Sequence, residues 1–118
     1  MAYSVLVVDD DSAFLSLTAQ ILEGIGVEVL TAVDAARAVV SAETEKPDAV
    51  LVDVGLPDRD GIDLAHELAA LPWGPRVVLT STDSDAVSAI DTDSEGPGLL
   101  FIAKEELESD SLRRLLMV

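Results

Sequence analysis

The groups able to do chemistry in this chain are carboxylates that follow short apolar runs. Val5-Leu6-Val7-Val8 runs into Asp9-Asp10-Asp11, and Ala49-Val50-Leu51-Val52 runs into Asp53. If both runs are parallel strands of one sheet, their carboxyl ends lie where open α/β sheets place their ligands. Carboxylates brought that close repel one another, so the cluster calls for a proton or a cation. All-oxygen coordination selects a hard ion such as Mg²⁺. Thr80-Ser81 closes a fourth apolar run and Lys104 a fifth, just past Phe101. A carboxylate can attack a phosphoryl group to give an aspartyl phosphate, provided a metal ion and a cation neutralise the phosphoryl oxygens. On that reading Asp53 is the acceptor, Asp10 ligates Mg²⁺ directly and Asp9 does so directly or through water. Lys104 pairs with one phosphoryl oxygen, the Thr80 hydroxyl bonds another, and a backbone carbonyl after Asp53 completes the oxygen shell.

The elements that must position these groups alternate along the chain. Ser4 to Val8 is too short for a helix and rich in valine; Ser12 then opens a segment with Phe14, Leu17, Thr18, Ile21 and Leu22 on one helical face, stopping at Gly24 and Gly26. Val27 to Thr31 reads as a second strand. Asp34 is placed to cap a helix burying Ala35, Ala38, Val39 and Ala42, which Lys46-Pro47 ends. Ala49 to Asp53 is the third strand, and a helix through Ile62, Leu64, Ala65 and Leu68 follows the loop carrying Pro57 and Gly61. Arg76 to Thr80 and Leu99 to Ala103 are the fourth and fifth strands, and Ser111 to Met117 the last helix. The stretch 83–98 is turn-rich and acidic, so a helix there is expected to be short or irregular. This alternation predicts right-handed βαβ units in a doubly wound, five-stranded parallel sheet ordered 2-1-3-4-5. In that order the switch point falls between the first and third strands, with Asp9, Asp10 and Asp53 as its floor.

Length and composition bound the rest. A chain of 118 residues, 49% hydrophobic, is expected to form one domain over 1–118. The absence of cysteine removes disulfides, Cys-zinc sites and thiol catalysis, and fits a reducing compartment. No apolar stretch reaches the roughly 20 residues of a membrane helix, and Met-Ala-Tyr-Ser has no signal-peptide character, so a cytoplasmic protein is expected. A net charge of −16, from 23 acidic against 7 basic residues, argues against direct nucleic-acid binding, which needs clustered Lys and Arg.

These motifs, taken together, resemble the receiver domain of two-component response regulators. The resemblance rests on Val7-Val8-Asp9-Asp10, Asp53-Val54-Gly55-Leu56-Pro57 with Asp60-Gly61, Thr80-Ser81 and Lys104, in that order, and runs from about Ser4 to Met117. It implies a flavodoxin-like fold and a signalling domain rather than an enzyme. Asp53 would accept phosphate from the phosphohistidine of a sensor histidine kinase or phosphotransfer protein. Asp9, Asp10 and Asp53 would hold Mg²⁺ with the Gly55 carbonyl. The resemblance also implies a switch, in which the Thr80 hydroxyl moves toward the phosphate and Phe101 turns into the space vacated. The face built by the fourth helix, fifth strand and last helix would then report to an output domain, a downstream protein or a second copy of the chain. Two features depart from the family pattern: Glu105, where proline commonly follows the lysine, and 91–98, where an Ala-Gly-Ala-like segment is usual.

Plainer roles suit other polar groups. Asp11 fits a helix cap better than a metal ligand. Asp58 and Asp60 read as loop residues, His66 as a surface residue, and Trp73, between two prolines, as loop packing. Two other functions compete with the receiver reading: a degenerate receiver serving only as an interaction module, and a small Mg²⁺-dependent phosphohydrolase with an aspartyl nucleophile.

Overall fold

A computed structural model describes residues 3–81 and 100–116 of the chain. The strands are β1 (Ser4–Val8), β2 (Glu28–Ala32), β3 (Ala49–Asp53), β4 (Arg76–Ser81) and β5 (Leu100–Ala103). They form one sheet ordered β2-β1-β3-β4-β5, and every pairing is parallel, as the alternation predicted. The helices are α1 (Ser12–Gly24), α2 (Ala35–Glu45), α3 (Gly61–Ala69) and α4 (Ser109–Leu116). The helix expected within 83–98, Leu99 at the start of the fifth strand and Met117 at the end of the last helix lie outside the described residues.

Strand alternation sends successive side chains to opposite faces of the sheet, and the core divides accordingly. Leu6, Val8, Val50, Val52, Val77 and Leu79 pack on one face with Ala35, Ala38 and Ala42 of α2 and Leu64, Ala65 and Leu68 of α3. Val5, Val7, Leu51, Val78 and Ile102 pack on the other with Leu15 and Leu22 of α1 and Leu112 and Leu116 of α4. Burial on both faces explains why β1 and β3 are almost unbroken runs of apolar residues and why Val77, Val78 and Leu79 follow one another in β4. β2, at the sheet edge, is only partly covered.

Leu17 departs from expectation. Its sequence spacing puts it on the buried face of the first helix, yet it is 57% exposed. α1 instead buries Leu15, Thr18 and Leu22, with Phe14 and Ile21 half-buried on the flank of that stripe. Three, four and seven residues separate neighbours on a helical face, and Leu17 falls outside the stripe centred on Thr18. Smaller shifts affect boundaries. β2 starts one residue later than predicted, after Gly26 turns at φ 86°. α4 starts at Ser109 because the Leu112 amide already bonds the Glu108 carbonyl at 3.0 Å.

The end of the sheet away from the carboxylates is tied by polar contacts. The Trp73 indole N–H donates to the Pro47 carbonyl at 3.0 Å, joining the turns before β3 and β4. The Tyr3 hydroxyl donates to the Leu116 carbonyl, fastening β1 to the end of α4. No described helix is long and apolar enough to cross a membrane.

Candidate functional site

The register brings the predicted groups together. Val8 pairs with Val52, Asp53 with Thr80 and Ser81 with Ala103, so the carboxyl ends of β1, β3, β4 and β5 lie level. Alternation does the rest. Counting on by two from Val7, Leu51, Val78 and Ile102, all facing α1 and α4, gives Asp9, Asp53, Thr80 and Lys104. The same spacing that builds one half of the core thus directs four polar groups toward one side of the sheet end.

Asp9 is fully buried, and both of its carboxylate oxygens are engaged. Oδ1 accepts the Asp11 amide at 2.9 Å. Oδ2 accepts no hydrogen bond among the described residues, and its partner is the Lys104 ammonium at 2.5 Å. Lys104 Nζ is also 3.7 Å from Asp53 Oδ1, with its own side chain 14% exposed. The aromatic ring of Phe14, on the first turn of α1, covers the same ammonium with its centroid 4.3 Å away.

Asp53 is buried, and its carboxyl is held above the usual carboxylate range. Burial is the main cause, with Asp9 and, more weakly, Asp10 adding like-charge repulsion; Lys104 and the Gly55 amide act the other way. The carboxyl end of the sheet is therefore short of positive charge, with one ammonium among three carboxylates. Asp9, Asp10 and Asp53 each offer an oxygen, all within 4.8 Å of one another. Three hard anionic donors at that spacing suit a divalent cation such as Mg²⁺. Asp10 is exposed, which leaves the cluster open to solvent on its side.

Thr80 is buried beside Asp53, but its hydroxyl bonds the Val52 carbonyl at 3.5 Å, a long contact that a better acceptor would replace. Its own carbonyl accepts the Val54 amide at 3.0 Å, which fixes the backbone leaving Asp53. Gly55 forms an isolated antiparallel bridge with Asp60, so the loop after the strand is a defined turn. Asp60 caps α3 through the Ile62 amide at 2.8 Å. Gly61 stands so close to the Asp53 carbonyl that a Cβ would sit 2.1 Å from it. Phe101 lies apart from these groups: it is half-buried against Leu79 and the α2–α3 half of the core.

Asp11 caps α1, accepting the Ala13 amide at 2.9 Å and the Phe14 amide at 3.3 Å, in keeping with its expected role. His66 is exposed on α3. Two residues carry more than the sequence suggested. Asp58, read as a plain loop residue, accepts the Ala35 and Ala36 amides at 2.9 and 3.1 Å, so the loop leaving Asp53 also caps α2. Phe14, read as one of several core-facing residues, contacts the site lysine. An aromatic residue shortly after the paired carboxylates was its only signal in the sequence.

Comparisons with known proteins agree with this fold. The family model for the response regulator receiver domain matches residues 5–113. The chain is 36% identical over 94 residues to the KDP operon transcriptional regulatory protein KdpE of Escherichia coli, covering 78% of this chain and 42% of that protein. It is 40% identical over 86 residues to the alkaline phosphatase synthesis transcriptional regulatory protein PhoP of Bacillus subtilis, covering 72% of this chain and 36% of that protein. The chain thus spans about two fifths of the length of these curated relatives. Among solved structures, the N-terminal receiver domain of RstA from Klebsiella pneumoniae superposes with a TM-score of 0.81 at 30% identity, over 95% of this chain and 94% of that one. A CheY-like receiver domain protein from Methanospirillum hungatei gives 0.81 at 28% identity, over 97% and 90%.

Proposed function

The chain belongs to the response regulator receiver domain family, and from that premise we propose that residues 1–118 form a single receiver that takes a phosphoryl group onto Asp53. The observation that carries this reading is the arrangement of Asp53 between Asp9 and Lys104, buried and short of positive charge. An Asp53 carboxylate oxygen forms the new bond to phosphorus. The phosphorus–nitrogen bond of a kinase phosphohistidine breaks, and the imidazole leaves with the electron pair. Asp9, Asp10, Asp53 and the Gly55 carbonyl would hold Mg²⁺, which would supply positive charge against the phosphoryl oxygens.

The chain's own residues do the remaining work. Asp9 anchors the loop through the Asp11 amide, and its second oxygen, paired with Lys104, is the one the cation would recruit. Lys104 reaches from the end of β5 to meet a phosphoryl oxygen. Thr80 gives up its long bond to the Val52 carbonyl for another phosphoryl oxygen. That exchange moves the end of β4, and a rearrangement of Phe101 and the neighbouring surface of β5 and α4 carries the signal outward. Its receiver is an output domain or a downstream protein, and the domain acts as a cytoplasmic signalling element rather than a turnover enzyme. The transcriptional regulators among the relatives support that output class.

Incubation with acetyl phosphate and Mg²⁺ tests the reading. One phosphoryl group per chain, absent from Asp53→Asn, is the expected intact-mass result. No gain, or sustained turnover of a phosphate ester without a stable adduct, overturns it.

A further inference from the structure

We infer that Phe14 is a positioning residue for Lys104, its ring face serving as a seat that holds the ammonium while the lysine's anionic partners change. The inference rests on the reading of Asp53 as phosphoryl acceptor and adds a residue to the machinery of that site.

Among the described residues, three contacts define the environment of the Lys104 ammonium: Asp9 Oδ2 at 2.5 Å, Asp53 Oδ1 at 3.7 Å and the Phe14 ring at 4.3 Å. The first two are carboxylates that the proposed reaction recruits. A divalent cation draws on both, and Asp53 becomes esterified. Lys104 must therefore release its closest partner at the moment it is needed against a phosphoryl oxygen. The ring is uncharged, and neither metal nor phosphate competes for its face. Attraction between an ammonium and the quadrupole of an aromatic ring persists through the exchange and is strongest in a site shielded from water. With its side chain 14% exposed, Lys104 lies in such a site.

The ring is itself held from two directions. Asp11 accepts the Phe14 amide at 3.3 Å, which locks the backbone of the first turn of α1. The half-buried side chain also packs against the part of the core shared by the sheet, α1 and α4. Any apolar residue could satisfy that packing. Only an aromatic one offers a face to a cation, so the comparison of Phe14→Leu with Phe14→Tyr separates the two roles.

The experiment has two readouts on the whole chain. In metal-free protein the Lys104 ε-methylene protons, observed by NMR, are expected to be shifted upfield by the ring. They return to ordinary lysine values in Phe14→Leu and stay shifted in Phe14→Tyr. With acetyl phosphate and Mg²⁺, the maximal phosphorylation rate of Phe14→Leu is expected to fall about five- to thirtyfold, equivalent to about 1–2 kcal/mol. The half-saturating concentrations of acetyl phosphate and Mg²⁺ stay unchanged, and Phe14→Tyr keeps most of the wild-type rate. A Phe14→Leu variant with the wild-type rate, or one whose lysine shift does not move, overturns the inference. If the lysine shift responds to Phe14→Leu but wild type takes up no phosphoryl group, the acceptor reading has failed and the transfer role of the ring falls with it. The shift alone then shows that the contact itself exists.

Discussion

Lys104 stands closer to Asp9 than to Asp53: its ammonium is 2.5 Å from Asp9 Oδ2 and 3.7 Å from Asp53 Oδ1. The lysine thus neutralises the fully buried member of the cluster and leaves the acceptor candidate under-compensated. Removing it should expose that dependence. Lys104→Met leaves the buried Asp9 carboxylate without its cation and is expected to lower unfolding free energy by about 3 kcal/mol in metal-free buffer. Mg²⁺ should recover part of the loss by supplying the missing charge. Urea titrations with and without the ion check both, and a variant within about 0.5 kcal/mol of wild type would refute the pairing.

The pH dependence of stability should carry the signature of Asp53. Its carboxyl titrates above the usual 3.8, mainly through burial and then through Asp9. The folded state therefore binds the proton more tightly than the unfolded chain. The stability this contributes is fully present below pH 3.8 and is lost as pH rises through the raised native value. Asp53→Asn removes that slope and raises stability at neutral pH in chelated buffer. Denaturation midpoints across the acidic range test the sign.

Asp58 should behave oppositely. The Ala35 and Ala36 amides hold its carboxyl below the usual range, the Ala35 bond being the largest cause. Its contribution is present above 3.8 and lost as pH falls through the lowered native value. Asp58→Ala should lower stability at neutral pH and speed hydrogen exchange at the Ala35 and Ala36 amides, leaving α3 protected. Unchanged exchange at those two amides would contradict the cap.

Gly61 and Gly24 should separate a close approach from an open one. A Cβ at Gly61 would meet the Asp53 carbonyl oxygen at 2.1 Å and the Val54 Cα at 2.6 Å, both backbone atoms that cannot swing aside. Gly61→Ala is expected to cost about 2–4 kcal/mol and to displace the loop leaving Asp53. Nothing lies within 4 Å of a Cβ at Gly24, so Gly24→Ala should be neutral or stabilise by up to about 1 kcal/mol. Thermal unfolding of the two variants decides.

The sheet order was readable because the strands are short, largely apolar runs and the described helices between them have clear start or stop signals. Period-two alternation then places Asp9, Asp53, Thr80 and Lys104 on one side, so the candidate site was legible with the sheet. What escaped the sequence depends on contacts between distant elements. The partners of Asp58 lie 23 and 22 residues upstream, and no local pattern reveals them. The preference of Lys104 for Asp9 follows from the depth of burial at the end of β1. The exposure of Leu17 follows from where α1 settles on the sheet, which its apolar residues, spread over more than one stripe, did not decide.

In the proposed function, Asp53 receives the phosphoryl group and the acidic cluster supplies the cation site. Borohydride reduction after treatment with acetyl phosphate, followed by peptide mass mapping, reads it most directly, because reduction converts an aspartyl phosphate to homoserine. Homoserine is expected at position 53 alone, dependent on Mg²⁺ and lost in Asp10→Asn. Homoserine at another aspartate, or at position 53 with Mg²⁺ fully chelated, would contradict it.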